Sequence, residues 1–295
     1  MVKGRLEETP ALPLKVLVTR AAGPLAYSLL DRIANGEVFG NQQPVFLVLM
    51  DFPSMLAVLT GVAMELQDCA FVLLQGVTVT DRAEVAFMDV DVAILLGATP
   101  RAKDMEWDDQ FKCNVRIFRS QGKALDTYAK KTVKLALTLG VGAGTVRNVI
   151  VWGAPSGTQL PDIEHASVTC DSRPAGLHQA LRGADRLAFQ QQRETAVWTG
   201  CTMSVASAIC DHLRALWSGT PEGELVSMGV ISNGNTYGVP EQLIYSFPVT
   251  VKDGSWQIVA GLRVSEVCRL RMAQSAQQLL EERKSALRAL ARSNL

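Results

Sequence analysis

Short, largely apolar runs followed by stretches of helical period constrain this chain more than any other feature. A strand with no polar face needs cover on both sides, and a parallel sheet wrapped by helices supplies it. Lys15 to Thr19 is the first such run, and it leads through Arg20-Ala-Ala-Gly-Pro24 into a helical stretch marked by Ala26, Leu29, Leu30 and Ile33. Val45 to Met50 is the second, ending at Asp51, and a helix carrying Met55, Val58, Leu59 and Met64 follows it. That completes a βαβ unit. Val72 to Val79 and Val90 to Leu96 read as a third and fourth strand. The segment from Gly97 to Glu106 is then a loop before a helix from about Asp109 to Lys131. The expected class is α/β, a doubly wound parallel sheet of the nucleotide-binding kind.

The second half has another rhythm. Asn148 to Trp152 is strand-like, Asp171 to Arg193 is polar, and a helix is expected from about Thr202 to Trp217. Alternating patterns at Glu224 to Ile231, Leu243 to Phe247 and Ser255 to Val259 predict further strands before a long terminal helix. In that helix Leu270, Gln277, Leu280, Leu287 and Leu290 trace the face expected to pack, and Glu281, Glu282, Arg283 and Lys284 lie off it. This half reads as an α+β domain.

With 295 residues and 48% apolar content, the chain can bury a sizeable core in one large or two ordinary domains. Its 29 basic and 29 acidic residues cancel, so no extended basic surface draws it to nucleic acid or acidic lipid. Its most apolar runs fall short of the roughly 20 residues that span a bilayer, and the first residues lack the apolar core of a secretory signal. A cytoplasmic protein with no membrane partner is expected. Six cysteines, Cys69, Cys113, Cys170, Cys201, Cys210 and Cys268, are scattered without the spacing of a zinc or redox motif, and they read as reduced packing residues with no metal.

Candidate chemistry begins at the turn after the first strand. A dinucleotide fold needs small residues there, so that backbone N–H groups can approach a pyrophosphate at a helix N-terminus. Ala21, Ala22, Gly23 and Ala26 are small, but Arg20 stands where the first glycine of such a turn belongs. Asp51, at the end of the second strand, suits the hydroxyls of an adenosine ribose and would repel a 2′-phosphate, which favours NAD over NADP.

Lys15 to Leu30, Gln43-Pro-Val-Phe-Leu-Val-Leu-Met-Asp51 and Val62-Ala-Met-Glu-Leu-Gln-Asp-Cys-Ala70 together closely resemble the cytosolic type of malate dehydrogenase. The resemblance continues through Asp91 to Gly97, Ser120-Gln-Gly122, Tyr128-Ala-Lys-Lys131, Asn148 to Gly153 and the long run Gly219 to Pro240, nearly end to end. It implies a Rossmann-like NAD-binding domain over residues 1–134 and an α+β substrate and dimerisation domain over 135–295. It further implies a homodimer and interconversion of L-malate and oxaloacetate, a small dicarboxylate pair, by hydride transfer to NAD. By the same resemblance Ala21, Ala22, Gly23, Leu25, Ala26, Asp51, Asn114 and Gln121 contact the cofactor and Arg101 the substrate.

The catalytic machinery departs from the family. The family's proton-transferring histidine lies in W-G-N-H-S-S-T-Q, and this chain reads Trp152-Gly-Ala-Pro-Ser-Gly-Thr-Gln159. Pro155 takes the histidine's place and cannot titrate. His165, His178 and His212 do not replace it by register. After Tyr128 to Lys134 the family continues into a buried strand, an N-P-A-N loop, a helix and L-T-R-L-D-H-N-R-A, whereas Leu135-Ala-Leu-Thr-Leu-Gly140 follows here at once. The aspartate that orients the histidine and an arginine that grips substrate are therefore missing, along with strands of the sheet, although Leu135 to Val141 could fill one position. In the active-site loop, P-R-R-E-G-M-E-R in the family, Arg101 remains but Trp107 displaces the last arginine, and an indole cannot hold a carboxylate bidentately. The expectation is a pseudoenzyme with no catalytic residue and NAD binding weakened by Arg20 and Pro24. Two alternatives stand beside it: a retained or altered NAD-dependent 2-hydroxy-acid dehydrogenase, and a non-catalytic partner of an intact paralogue.

Overall fold

The computed structural model describes residues 11–96, 107–137, 146–153, 160–162, 164–170, 173–176 and 202–292. They form two compact units that divide within one helix, between Phe118 and Arg119.

The first unit is built on five parallel strands, β1 (Leu14–Thr19), β2 (Val45–Met50), β3 (Leu74–Thr80), β4 (Val92–Leu95) and β5 (Lys134–Leu137), in the order β3-β2-β1-β4-β5. That order reverses direction at β1, the arrangement in which a crevice opens beyond the strand C-termini. Its central strands are largely apolar because they are covered on both faces: Val16, Leu17, Val18, Leu47, Leu49, Ala93 and Ile94 have no exposed surface. Helix α1 (Pro24–Ala34) inserts Ala26, Leu29, Leu30 and Ile33, the i, i+3, i+4, i+7 set that the sequence predicts. It stops at Asn35, and Gly36 continues at φ +84° where a Cβ would lie 2.6 Å from the Leu73 side chain, so only glycine fits. A 3-10 turn (Pro53–Met55) leads into α2 (Leu56–Asp68), which buries Leu59, Ala63 and Leu66 but leaves Val58 and Met64 exposed. A single helical turn, α3 (Ala83–Ala86), precedes β4, and α4 (Trp107–Tyr128) follows it.

Strand β5 answers the question raised by the shortened chain. Lys134, Leu135, Ala136 and Leu137 pair in parallel register with Val92, Ala93, Ile94 and Leu95, and a β-type hydrogen bond from the Lys134 amide to the Asp91 carbonyl starts the ladder. Lys134 to Leu137 thus occupy the strand position next to β4, the place the sequence offered for Leu135 to Val141. Among the described residues this sheet has five strands, one short of the classic six.

The second unit contains the antiparallel sheets β6 (Val146–Arg147) with β9 (Ser167–Cys170) and β10 (Arg173–Gly176), β7 (Ile150–Trp152) with β8 (Leu160–Asp162), and β11 (Val226–Ile231) with β12 (Ile244–Lys252) and β13 (Ser255–Ile258). Helices α5 (Thr202–Ser218) and α6 (Glu266–Arg292) complete it. Its core joins Trp152, Phe247, Tyr245, Val249 and Val251 to Cys268, Met272 and Ala276 of α6.

Two sequence expectations are corrected here. In α6 the buried stripe is Cys268, Met272, Ser275 and Ala276, with Leu280 of the expected face half-buried against the same core, whereas Leu270 and Leu287 are 63% and 57% exposed. The small side chains at 275 and 276 allow a close approach that a leucine ridge would prevent. Cys69 is not a packing residue either: it sits exposed at the end of α2, while Cys210 and Cys268 are buried and Cys113 is half-buried.

Candidate functional site

The turn from Thr19 to Gly23 is held from three sides. Thr19 is buried, and its hydroxyl both donates to the Leu96 carbonyl and accepts the Leu96 amide, at 3.3 and 3.1 Å, tying the end of β1 to the end of β4. Ala21 N–H donates to the Met50 carbonyl at 3.2 Å, and Gly23 N–H closes the turn onto the Arg20 carbonyl at 3.0 Å. A Cβ on Gly23 would come within 3.2 Å of that carbonyl, so the position tolerates little beyond glycine. Ala21 and Ala26 are buried, and Ala22, Gly23 and Leu25 are half-buried.

Asp51 organises the same corner. It is 7% exposed, its Oδ2 accepts the Ala22 amide at 3.1 Å, and its Oδ1 accepts the Phe52 amide at 2.9 Å. The expected ribose acceptor is therefore also the group that fixes the turn. Helix α1 begins with Pro24 and no side-chain cap. The first full intrahelical bond runs from Tyr27 N–H to the Gly23 carbonyl, which leaves the Leu25 and Ala26 amides heading the helix as anion donors. Pro24 has already removed one.

Arg20 is where the family pattern breaks, and the backbone records it. The residue adopts φ +53°, the left-handed region that a glycine enters freely and a long side chain enters at a cost. Its guanidinium lies over the Phe52 ring, 5.1 Å from the centroid. Phe52 was not among the sequence candidates, and the available signal was an aromatic residue placed directly after the acid that ends β2.

Asn114 and Gln121 lie two turns apart on α4, Asn114 on the part that belongs to the second unit and Gln121 on the part that belongs to the first. Gln121 Oε1 is buried and accepts no hydrogen bond among the described residues. A buried amide oxygen without a donor is costly, and a ligand donor would relieve it. Arg101, Pro155 and His178 lie outside the described residues.

The other two histidines are structural. His165 Nε2 contacts the Arg263 carbonyl at 2.9 Å, and His212 is wedged with Nδ1 2.9 Å from the Ala208 carbonyl and Nε2 2.8 Å from the Ser227 carbonyl, bracing α5 against β11. Strand β7, which precedes Pro155, is firmly seated: buried Trp152 donates its indole N–H to Asp162 Oδ2 at 3.1 Å and stands edge-on to Tyr237 at 4.8 Å. The Ser246 amide holds the Gly153 carbonyl at 3.1 Å. Among the described residues no cluster of histidine, cysteine or carboxylate side chains could hold a metal, and no helix is long and apolar enough to cross a membrane.

Comparison with known proteins matches residues 14–142 to the lactate/malate dehydrogenase NAD-binding domain and residues 124–289 to the lactate/malate dehydrogenase alpha/beta C-terminal domain. The cytoplasmic malate dehydrogenase of Bos taurus is 46% identical over an alignment of 329 positions, covering 95% of this chain and 98% of that protein. The one from Caenorhabditis elegans is 39% identical over 96% of this chain and 99% of its own length. Among solved structures, malate dehydrogenase from Naegleria fowleri superposes with a TM-score of 0.82 at 30% identity, covering 95% of this chain and 100% of that one. Trichomonas vaginalis lactate dehydrogenase in complex with NADH and oxamate gives 0.81 at 26% identity, again over 95% and 100%. With a parallel nucleotide-binding sheet in its first unit, an alpha/beta second unit and these matches across nearly its whole length, the chain belongs to the lactate/malate dehydrogenase family.

Proposed function

We propose that this chain is a malate dehydrogenase homologue that retains a damaged dinucleotide site and has lost turnover of malate and oxaloacetate. The observation that carries the reading is the run from Trp152 to Gln159, in which Pro155 stands at the position of the family's proton-transferring histidine. Proline has no titratable group, and a positioned acid or base contributes about 10² to 10⁴ in rate. The direct passage from Lys134 to Leu135 within β5 and on to Gly140 supports it further, because it leaves no residues for the family's N-P-A-N loop, orienting aspartate and substrate arginine. An alignment of 329 positions is also longer than the 295 residues of this chain, as a missing internal segment requires.

The residues of the turn fit a dinucleotide in part. The Leu25 and Ala26 amides would face its pyrophosphate, Asp51 its ribose, and the unsatisfied Gln121 Oε1 a donor on the ligand. Bound NAD would supply a hydride acceptor. Against this stand Arg20, which replaces an open glycine, and Pro24, which removes a donor, so binding weaker than that of the family is expected. Arg101 is the remaining guanidinium for a dicarboxylate. Pairing with a second copy or with an intact relative belongs to the same proposal, and the exposed Val58 and Met64 on α2 favour a covered face.

Titration of the purified chain with NADH, followed by thermal shift and then addition of oxaloacetate, tests the reading. Saturable binding without loss of nicotinamide absorbance is expected. Rapid NADH oxidation would overturn it, and so would a complete absence of binding.

A further inference from the structure

We propose that Arg20 resets cofactor choice, so that the site prefers a dinucleotide carrying a 2′-phosphate on its adenosine ribose over one that lacks it. The inference rests on the reading that this turn accepts a dinucleotide, and it goes against the NAD preference that Asp51 alone implies.

Three observations point the same way. The Arg20 side chain does not extend from the turn toward the head of α1. It crosses to the neighbouring loop and lies on the Phe52 ring, 5.1 Å from its centroid. Phe52 is the residue immediately after Asp51, and in folds of this topology the loop just beyond the second strand is where the ribose 2′ substituent is read. A guanidinium stacked on an aromatic ring keeps its N–H edge free for a planar or phosphate acceptor, and Arg20 forms no ion pair among the described residues.

The carboxylate that would repel a 2′-phosphate is compromised as well. Both Asp51 oxygens accept backbone amides, Oδ2 from Ala22 and Oδ1 from Phe52, so part of its acceptor capacity is used inside the protein. The local balance beside the ribose changes from a carboxylate alone to a carboxylate and a cation. The backbone supports a role for the side chain too. Arg20 is held at φ +53°, in a conformation that favours glycine, with its guanidinium seated at one place by the ring.

The experiment is calorimetric titration of the full chain with NADPH and with NADH, at low and at moderate salt, for the natural sequence and for R20Q and R20G, each first checked by its melting curve. The natural chain is expected to bind NADPH about tenfold more tightly than NADH, the worth of one added charge-assisted contact. That preference should shrink as salt rises. R20Q, which keeps a polar side chain and loses the charge, is expected to bring the two affinities within about twofold, and R20G to invert the order. Adenosine 2′-monophosphate should compete better than adenosine 5′-monophosphate against the natural chain only. Equal or better binding of NADH by the natural chain, or a preference that survives R20Q in a folded variant, overturns the proposal while leaving the dinucleotide reading intact. Failure of both dinucleotides to bind the natural chain and R20G alike overturns the dinucleotide reading itself and this inference with it.

Discussion

The Ala22 amide donates to Asp51 Oδ2 at 3.1 Å, joining the turn after β1 to the end of β2 through a carboxylate that is 7% exposed. Asp51 thus has a structural job in addition to the ribose-facing role proposed for it. Asp51→Ala would leave the Ala22 and Phe52 amides without their acceptor, and an unpaired buried donor costs about 1–3 kcal/mol. The expected result is a melting temperature several degrees below that of the natural chain, with Asp51→Asn losing less because one carbonyl oxygen remains. Differential scanning calorimetry of the two variants checks it, and equal melting of all three proteins would show that the carboxylate does not hold the turn.

Arg20→Gly should stabilise the chain. A non-glycine residue in the left-handed region costs about 1–2 kcal/mol, and the cation-over-ring contact with Phe52 returns about 0.5–1 kcal/mol of that. The net gain expected is about 0.5–1 kcal/mol, a rise of a few degrees in Tm for a chain of this size. Arg20→Ala is the control, because it keeps the strained φ and loses the ring contact, and it should melt below the natural chain. A glycine variant no more stable than the alanine variant would remove strain from the account.

Most of the first unit was legible because its signals are local and redundant. Largely apolar strands, the Ala26, Leu29, Leu30, Ile33 stripe and an acid ending β2 each fix position and orientation without reference to the rest of the chain. Strand β5 was foreseeable only as a possibility, because four residues gain strand character from pairing with β4 and have no alternation of their own to announce it. In α6 two of the leucines misled, since Leu270 and Leu287 stay exposed while small Ser275 and Ala276 are buried and Leu280 packs beside them. At the site, Gly23 and Asp51 could be picked out from spacing. The hydrogen bond between Ala22 and Asp51 and the seat of Arg20 on Phe52 depend on how two loops meet, which no periodicity encodes.

Burial gives the second unit an alkaline limit. The Cys268 thiol, on the buried face of α6 with Asp162 and Glu164 adding negative potential, is pushed from 9.0 up to about 12, and burial also raises the Tyr245 hydroxyl. For both groups the folded state favours the protonated form. Their stabilisation is therefore complete below the unfolded values, near 9 for the thiol and 10 for the phenol, and is lost as pH climbs from there toward 12. Each group changes stability by about 1.4 kcal/mol per pH unit within its window. Urea unfolding at successive pH values should show a falling midpoint above pH 9, and Cys268→Ala should flatten the first part of the fall. Thiol labelling at neutral pH offers a second readout, with exposed Cys69 modified rapidly and Cys268 only after unfolding.

Restoring the histidine alone should not restore turnover. Pro155→His returns an imidazole to the family's position, but an effective base must also be held in one tautomer and orientation against the substrate hydroxyl. On the proposed reading, the aspartate that does this in the family falls in a segment absent between Lys134 and Leu135, and Trp107 takes the place of a carboxylate-gripping arginine. Misplacement of a reacting group by about 1 Å costs on the order of 10² in rate, and losing a bidentate clamp adds to that. Oxaloacetate-dependent NADH oxidation by Pro155→His is accordingly expected to stay at the background of the natural chain. A second variant that also carries the family's internal segment between Lys134 and Leu135, together with Trp107→Arg, should recover measurable turnover if NADH binds. Substantial activity in the single variant would mean that some other group of this chain already orients the base, and would return the protein to the working enzymes of its family.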